Sequence, residues 1–358
     1  MNPEETTQTT NGAISKESAG RIRALQLTSY GGPESIEVAS IDAPEGPGAG
    51  QVLVRVHAAG VNGLDWKIRE GYVREVFPLQ LPATLGIEIA GVVISGGPRR
   101  SLALPPATTT KESLATGVDG FREGDRVMGA LGAVGGYADQ VIVNAGNLGH
   151  IPEGMSFVEA AGLPTVVQAA WQSLQAAGPI GEGNRVLIHG AAGAVGAFAV
   201  QFAKQAGATV FASVRGQYAG YVRGLGADHV IDYETERFED KAQGIDLVLD
   251  LVGGETLARS WSVLSPAGAI VSATTPDIAA KAPSGKRGIW LMTKADPALV
   301  EKVARQIVDG RVSQRIESVV SFEELPQAIE RNRTQPHLGK VIAALVPDDR
   351  SSLPGSAT

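Results

Sequence analysis

The sequence predicts an α/β protein in which a doubly wound parallel sheet follows a β-rich region. Three observations predict it. From Arg23 to about residue 153, apolar and polar residues alternate in short runs between glycines and prolines, the pattern of half-buried strands. After Gly183, strand-like runs alternate with helical ones, which indicates parallel strands joined by crossover helices. Where the alternation begins, RVLIHGAAGAVGAFAVQFAKQAGA (Arg185 to Ala208) runs from a short apolar strand through three glycines at every third position into a small-residue, apolar helix.

The elements follow in order. Residues 1–21 are rich in Thr, Glu and Ser without hydrophobic periodicity, and read as a disordered tail. Strands are expected in ALQLTSYGGPESIEVASIDAP, QVLVRVHAAGV, GIEIAGVVISGG, GDRVMGAL and GYADQVIVN. Between them, residues 96–120 carry Pro-Pro and a Thr triplet and read as a long surface loop, either a solvated insertion or a lid or partner contact. From Ser156 the period becomes helical. Arg185 to His189 is then a strand, Gly193 to Gln205 a helix and Thr209 to Ser213 a strand, with a helix around Tyr218 to Leu225. HVIDY, DLVLDLV and GAIVSAT supply further buried strands, with ETLARSWSVL as the helix between the last two. ALVEKVARQIVDG and FEELPQAIERN are amphipathic helices, GKVIAAL is a closing strand, and 348–358 is a polar tail.

Composition narrows the chemistry. The chain has 358 residues, enough for two cores, and a net charge of −7 with its basic residues scattered, so nucleic acid is not an expected partner. It has no cysteine, which excludes disulfides, thiolate catalysis and cysteine-ligated metal. No apolar run approaches a membrane span, and the polar, acidic start is unlike a signal peptide. The expectation is a cytoplasmic protein that binds no membrane.

The glycines Gly190, Gly193 and Gly196 stand at the strand-to-helix junction as G-x-x-G-x-x-G. In a dinucleotide-binding βαβ unit such glycines serve a tight turn, close approach of backbone to the pyrophosphate, and packing of helix on strand. The helix N-terminus offers unpaired N–H groups and partial positive charge to the phosphates. NAD enzymes place a carboxylate about twenty residues on, at the end of the second strand, to bind the ribose 2′-hydroxyl. Here that strand ends in Ser213, Val214 and Arg215. A hydroxyl and a guanidinium suit a 2′-phosphate, so NADPH is the expected cofactor. The competing reading of Arg215 is a solvated surface arginine.

With AAGVNGLDWKIREG, LGIEIAGVV, FREGDRVMG, GGYADQ, AAGLPTVVQAAWQSL, HGAAGAVG, LGADHVIDY, DLVLDLVGG and HLGKVIAAL, the chain resembles the medium-chain dehydrogenase/reductase superfamily, in its zinc-independent quinone oxidoreductase-like branch. The resemblance covers about Arg23 to Leu345. It implies a chaperonin-10-like (GroES-like) β domain at 22–159, a Rossmann NADP-binding domain at 160–295 and a return to the first domain at 296–347. It further implies an active site in the cleft between domains and a homodimer formed through the Rossmann sheet. For the cofactor it implies Gly190, Ala192, Gly193, Ala194, Val195 and Gly196 at the pyrophosphate, and Ser213, Arg215 and Tyr233 at the adenosine end. Leu251, Val252 and Thr274 fall near the nicotinamide ribose, and Gly339 and Lys340 close over the cofactor, with neutralising a helix end as the alternative for Lys340; a contact that relatives make where this chain has Ala169-Ala170 is either missing or supplied by Thr165. The zinc-dependent Gly-His-Glu segment is Gly86-Ile87-Glu88 here, and the five histidines have no ligand-like spacing, so no metal is expected.

Without a metal, hydride addition to an activated C=C or a quinone is favoured over alcohol–ketone exchange, because hydrogen-bond donors can hold the enolate that forms. By resemblance Asn62 and Asp65 stand beside the cleft, with Lys67 and Tyr72 able to project toward a substrate bearing a conjugated carbonyl. Asp65 has the alternative of capping the following turn, and Tyr72 that of a packed surface tyrosine. Two other functions stay open: an enoyl-thioester reductase for carrier-bound acyl chains, and a non-catalytic NADPH-binding interaction protein.

Overall fold

The computed structural model describes residues 20–98 and 120–346. The expected terminal tails fall almost wholly, and the expected insertion at 96–120 mostly, outside these residues. The first part holds β1 (Arg21–Leu27), β2 (Ile36–Asp42), β3 (Gln51–Val61), α1 (Gly63–Arg69), β4 (Ala83–Thr84), β5 (Glu88–Gly96), β6 (Arg126–Ala130), β7 (Gln140–Asn144) and β8 (Leu148–His150). Two helices, α2 (Phe157–Ala161) and α3 (Pro164–Gln175), lead into β9 (Arg185–His189), α4 (Ala194–Gln205), β10 (Thr209–Val214), α5 (Ala219–Gly224), β11 (His229–Asp232) and β12 (Ile245–Asp250). Then come α6 (Gly254–Ser260), β13 (Leu264–Ser272), α7 (Ile278–Lys281), β14 (Arg287–Trp290), α8 (Pro297–Val308), β15 (Ile316–Ser321), α9 (Leu325–Thr334) and β16 (Lys340–Ala344).

These strands form a GroES-like β unit and a Rossmann sheet. The parallel sheet runs β11-β10-β9-β12-β13-β14, so strand order reverses between β9 and β12. At such a switch point the carboxyl ends of the strands leave a crevice for ligand. The other main sheet runs β15-β16-β3-β5-β6-β8 with β7 also on β3. The last strand therefore returns to the first unit, β16 pairing antiparallel with β3 through Val341↔Val61 to Ala344↔Ala58. One apolar cluster spans both, joining Ala58, Ala90 and Met128 of the β unit to Val186, Ile188 and Val200 of the Rossmann unit. The crevice is thus floored by continuous core.

The short elements β4, β8 and α7 lie outside the sequence reading, and three others depart from it. α1 interrupts the β-rich region: Asp65, its third residue, takes the N–H of Asn62 at 2.7 Å, the reciprocal half of a capping box. β14 and β15 lie in stretches whose strand pattern is broken by exposed polar residues, and pairing with β13 and β16 makes them strands.

Candidate active site

The glycine turn is built by local constraint. Gly190 ends β9 with φ +72°, a conformation that favours glycine, and its carbonyl takes the N–H of Gly193 at 3.1 Å. A Cβ on Gly196 would stand 2.3 Å from the Gly190 oxygen and 2.7 Å from Ala191 Cα, so the third glycine lets helix α4 sit on the turn. Gly193 caps α4 in an extended conformation, and a Cβ there would meet only the Gly190 oxygen, at 3.4 Å. That position is left open to whatever approaches the helix N-terminus. Ala192 is buried behind it, and Ala194 and Val195 are half-buried in the first turn of α4. These residues fit the pyrophosphate of a dinucleotide.

At the adenosine end the structure separates the expected residues. Ser213 is 3% exposed within the sheet, and its carbonyl takes the N–H of Ala191 at 3.3 Å. Arg215 and Tyr233 remain at the surface, with Arg215 Nε donating to the Tyr233 hydroxyl at 3.0 Å. Arg215 also faces Glu234 at 3.4 Å across an exposed ion pair that a phosphate would compete with. At the other end of the crevice Val252 is exposed, Leu251 is half-buried, and Thr274 donates to Asp250 at 3.0 Å.

Lys340 departs from expectation. Gly339 does reach the turn, donating its N–H to Ala192 O at 3.3 Å and forming a parallel bridge with Gly193. The Lys340 side chain leads the other way. Lys340 is 3% exposed, and its ammonium pairs with Glu88 Oε1 at 2.6 Å while also donating to Asn62 Oδ1. Glu88, at the start of β5, is fully buried and collects two further donors: Asn62 Nδ2 at 2.8 Å and the Thr165 N–H at 2.8 Å. Burying a charge is tolerable only with such pairing. Thr165 Oγ1, buried beside this hub, has no partner among the described residues, which suits a contact to a bound cofactor.

The four expected catalytic residues separate likewise. Asn62 is saturated: Nδ2 donates to Glu88 and to Gly60 O at 3.2 Å, and Oδ1 accepts from Lys340, so no amide hydrogen is left for substrate. Asp65 is fully buried and accepts from the Tyr137 hydroxyl at 2.7 Å as well as from Asn62. Burial pushes its carboxyl up to about 7 against the pull of those bonds. It holds the start of α1 and touches no cleft. Tyr72 is 71% exposed and edge-on to Trp66; its backbone N–H donates to Lys67 O at 3.0 Å, while its side chain faces solvent near Arg333. Lys67 alone is half-buried and makes no ion pair among the described residues; its ammonium lies 5.6 Å from the Trp66 ring centroid and feels the carboxylate of Asp250 at the end of β12. Burial lowers it below the ordinary lysine range, and Asp250 offsets part of that.

Sequence reasoning passed over Glu88 as a hub, Tyr137 and Asp250. Asp250 is fully buried and accepts from Ser272 Oγ at 2.7 Å and Gly253 N–H at 2.7 Å, which shapes the end of β12. The signal for both acids was present: a single carboxylate within each of the apolar runs GIEIAGVV and LVLDLV.

Known proteins match this geometry. The family model for the alcohol dehydrogenase GroES-like domain covers residues 48–153, and the one described as zinc-binding dehydrogenase covers 225–342. The synaptic vesicle membrane protein VAT-1 homolog of Rattus norvegicus is 30% identical over 366 residues, spanning 91% of this chain and 84% of that protein. The chain belongs to the medium-chain dehydrogenase/reductase superfamily. The quinone oxidoreductase from Coxiella burnetii superposes with a TM-score of 0.81 at 28% identity, covering 91% of this chain and all of that one. The CurK enoyl reductase does so with 0.76 at 26% identity, covering 91% and 100%. The chain is accordingly an NAD(P)-dependent oxidoreductase of the quinone oxidoreductase-like branch. The name of the second family model raises the question of zinc. With Ile87 beside Glu88, no cysteine, and no group of three His, Cys, Asp or Glu able to hold a metal among the described residues, the donor set does not fit zinc. No helix among the described residues is long and apolar enough to cross a membrane.

Proposed function

We propose that the protein is an NADPH-dependent reductase that adds hydride to the activated C=C of an α,β-unsaturated carbonyl compound, or to a quinone, without zinc. The observation that carries this reading is Lys67 on α1 of the β unit: half-buried, without an ion pair among the described residues, and within electrostatic range of Asp250 at the end of β12 in the Rossmann sheet. A half-buried ammonium there is placed to donate a hydrogen bond to the carbonyl oxygen of a substrate in the crevice. NADPH, when bound, supplies the hydride. As negative charge develops on the substrate oxygen, Lys67 stabilises the enolate and gives up a proton to it, then takes one back from water. Its lowered pKa makes it the better acid. The Arg215 guanidinium and the absence of a carboxylate at the end of β10 support NADPH over NADH. The outer edge of β14, which among the described residues bonds only to β13, supports the homodimer.

The test is NADPH oxidation by EDTA-treated protein with enones, quinones and enoyl thioesters. Full activity after chelation is expected, and Lys67→Met should lower kcat about a hundredfold while leaving the NADPH Kd unchanged. A Lys67→Met protein turning over every substrate at the parent rate would remove the proposed donor. Turnover of enoyl thioesters alone would transfer the assignment to an acyl-thioester reductase, the activity in the name of the CurK structure.

A further inference from the structure

With Lys340 committed to Glu88, the segment that closes on the glycine turn brings no free ammonium to it. A cation seated beside that segment is Arg315, which the sequence reading did not assign. Its backbone carbonyl accepts the Lys340 N–H at 3.0 Å, and a Cβ on Gly339 would stand 2.4 Å from that carbonyl, so residue 315 is seated directly against the link between Gly339 and the turn. The loop before it is anchored on α4: Gln201 Oε1 takes the Ser313 N–H at 2.8 Å, and Gln201 Nε2 donates to Ser313 O at 2.9 Å. Arg315 and Tyr221 line a recess with Ala194 and Ala197, in the opening turn of α4, and with Gly339 and Lys340.

The guanidinium itself has no hydrogen bond or ion pair among the described residues. Its carbon lies 5.7 Å from the Tyr221 ring centroid, a cation–π distance that gives direction without neutralising charge. The neighbouring carboxylate, Glu317 on β15, takes the Leu338 N–H at 3.2 Å. An exposed guanidinium without a protein counter-charge among the described residues thus stands beside the positive end of a 12-residue helix, and the two together favour an anion there.

We infer that Arg315 is a cofactor-binding residue that pairs with the dinucleotide pyrophosphate, the charge that its neighbour Lys340 leaves unmet. A planar guanidinium suits two phosphoryl oxygens, and the Tyr221 face beneath it limits the directions it can take. This inference rests on the nicotinamide-cofactor reading above and predicts a contact indifferent to the 2′-phosphate.

The experiment measures the Kd of NADPH and of NADH by calorimetry on the full chain, for the parent protein, Arg315→Ala, Arg315→Lys and Arg215→Ala. Arg315→Ala should weaken both dinucleotides by about tenfold, Arg315→Lys should recover part of that loss, and Arg215→Ala should weaken NADPH alone. Arg315→Ala binding both within about twofold of the parent overturns the inference. So does a loss confined to NADPH, which would put the guanidinium on the 2′-phosphate. If the parent protein binds neither dinucleotide, the cofactor reading itself fails, an outcome distinct from both.

Discussion

The glycine turn and the polar hub lie on either side of Gly339, yet one is made by seven consecutive residues and the other by four distant ones. In the turn, Gly190, Gly193 and Gly196 set the backbone path themselves, and the strand before and the helix after need only continue it. The hub around Glu88 exists only because β5 and β16 both pair with β3, in registers that set Ile89 opposite Ala59 and Val341 opposite Val61. Asn62, Glu88 and Lys340 arrive together as a consequence, and α3 adds the Thr165 N–H. A local device fails when one residue no longer fits. A long-range device fails when one charge loses its partner.

The largest expected effect comes from breaking the local device. Gly196→Val would drive its Cβ into the Gly190 carbonyl and the Ala191 backbone, neither of which can yield as a side chain would. NADPH affinity in calorimetry should fall at least about a hundredfold; retention of parental affinity would show that α4 can leave the turn at no cost. The hub should fail differently. Glu88→Gln leaves the buried Lys340 ammonium without a counter-charge, so stability to urea should drop by about 3 kcal/mol, with a smaller loss of NADPH affinity transmitted through Gly339. An unchanged urea midpoint would mean that the ion pair does not hold the three segments together.

The smallest effect sharpens the comparison through pH. Asp65, beneath the hub, has its folded pKa raised from 3.8 to about 7 by burial, so the fold holds that proton more tightly than the unfolded chain does. Its contribution is fully present below the unfolded value and is lost as pH rises through about 7. His189, at the end of β9 beneath the turn, is lowered from 6.5 to about 4 by burial, with Ser260 Oγ 3.0 Å from its Nε2. Its contribution is present above 6.5 and is lost as pH falls toward about 4. Asp65→Asn keeps one oxygen to accept from Asn62 and Tyr137, so it should flatten the loss of urea stability on the neutral side and leave the acid side unaltered. A pH profile identical to the parent's would show that Asp65 titrates as an ordinary carboxyl.

Legibility followed the same division. The strand Arg185–His189 and the helix starting at Gly193 could be read directly, since apolar period and glycine spacing are properties of neighbouring residues. β14 and β15 could not, because partners elsewhere in the sheets make RGIW and IESVVS into strands. The same holds for side chains. Arg215 lies at the surface end of β10, where its sequence position suggested. Lys340 was misread, because whether a lysine two residues beyond Leu338 faces a phosphate or a carboxylate depends on Glu88, 252 positions earlier (340 − 88).

From its sequence alone, this chain determined the glycine turn, the order of strands and helices from Arg185 to Ser272, and a chemistry without cysteine, since each depends on residue type and spacing within a short window. Only the tertiary structure decided that Asn62 is saturated, that Asp65 is sealed beneath Tyr137, that the Tyr72 side chain is exposed, and that Lys67 feels the charge of Asp250. A side chain's hydrogen-bonding capacity and charge are used by whichever partners folding brings within about 3 Å, and strand register, not sequence distance, chooses those partners.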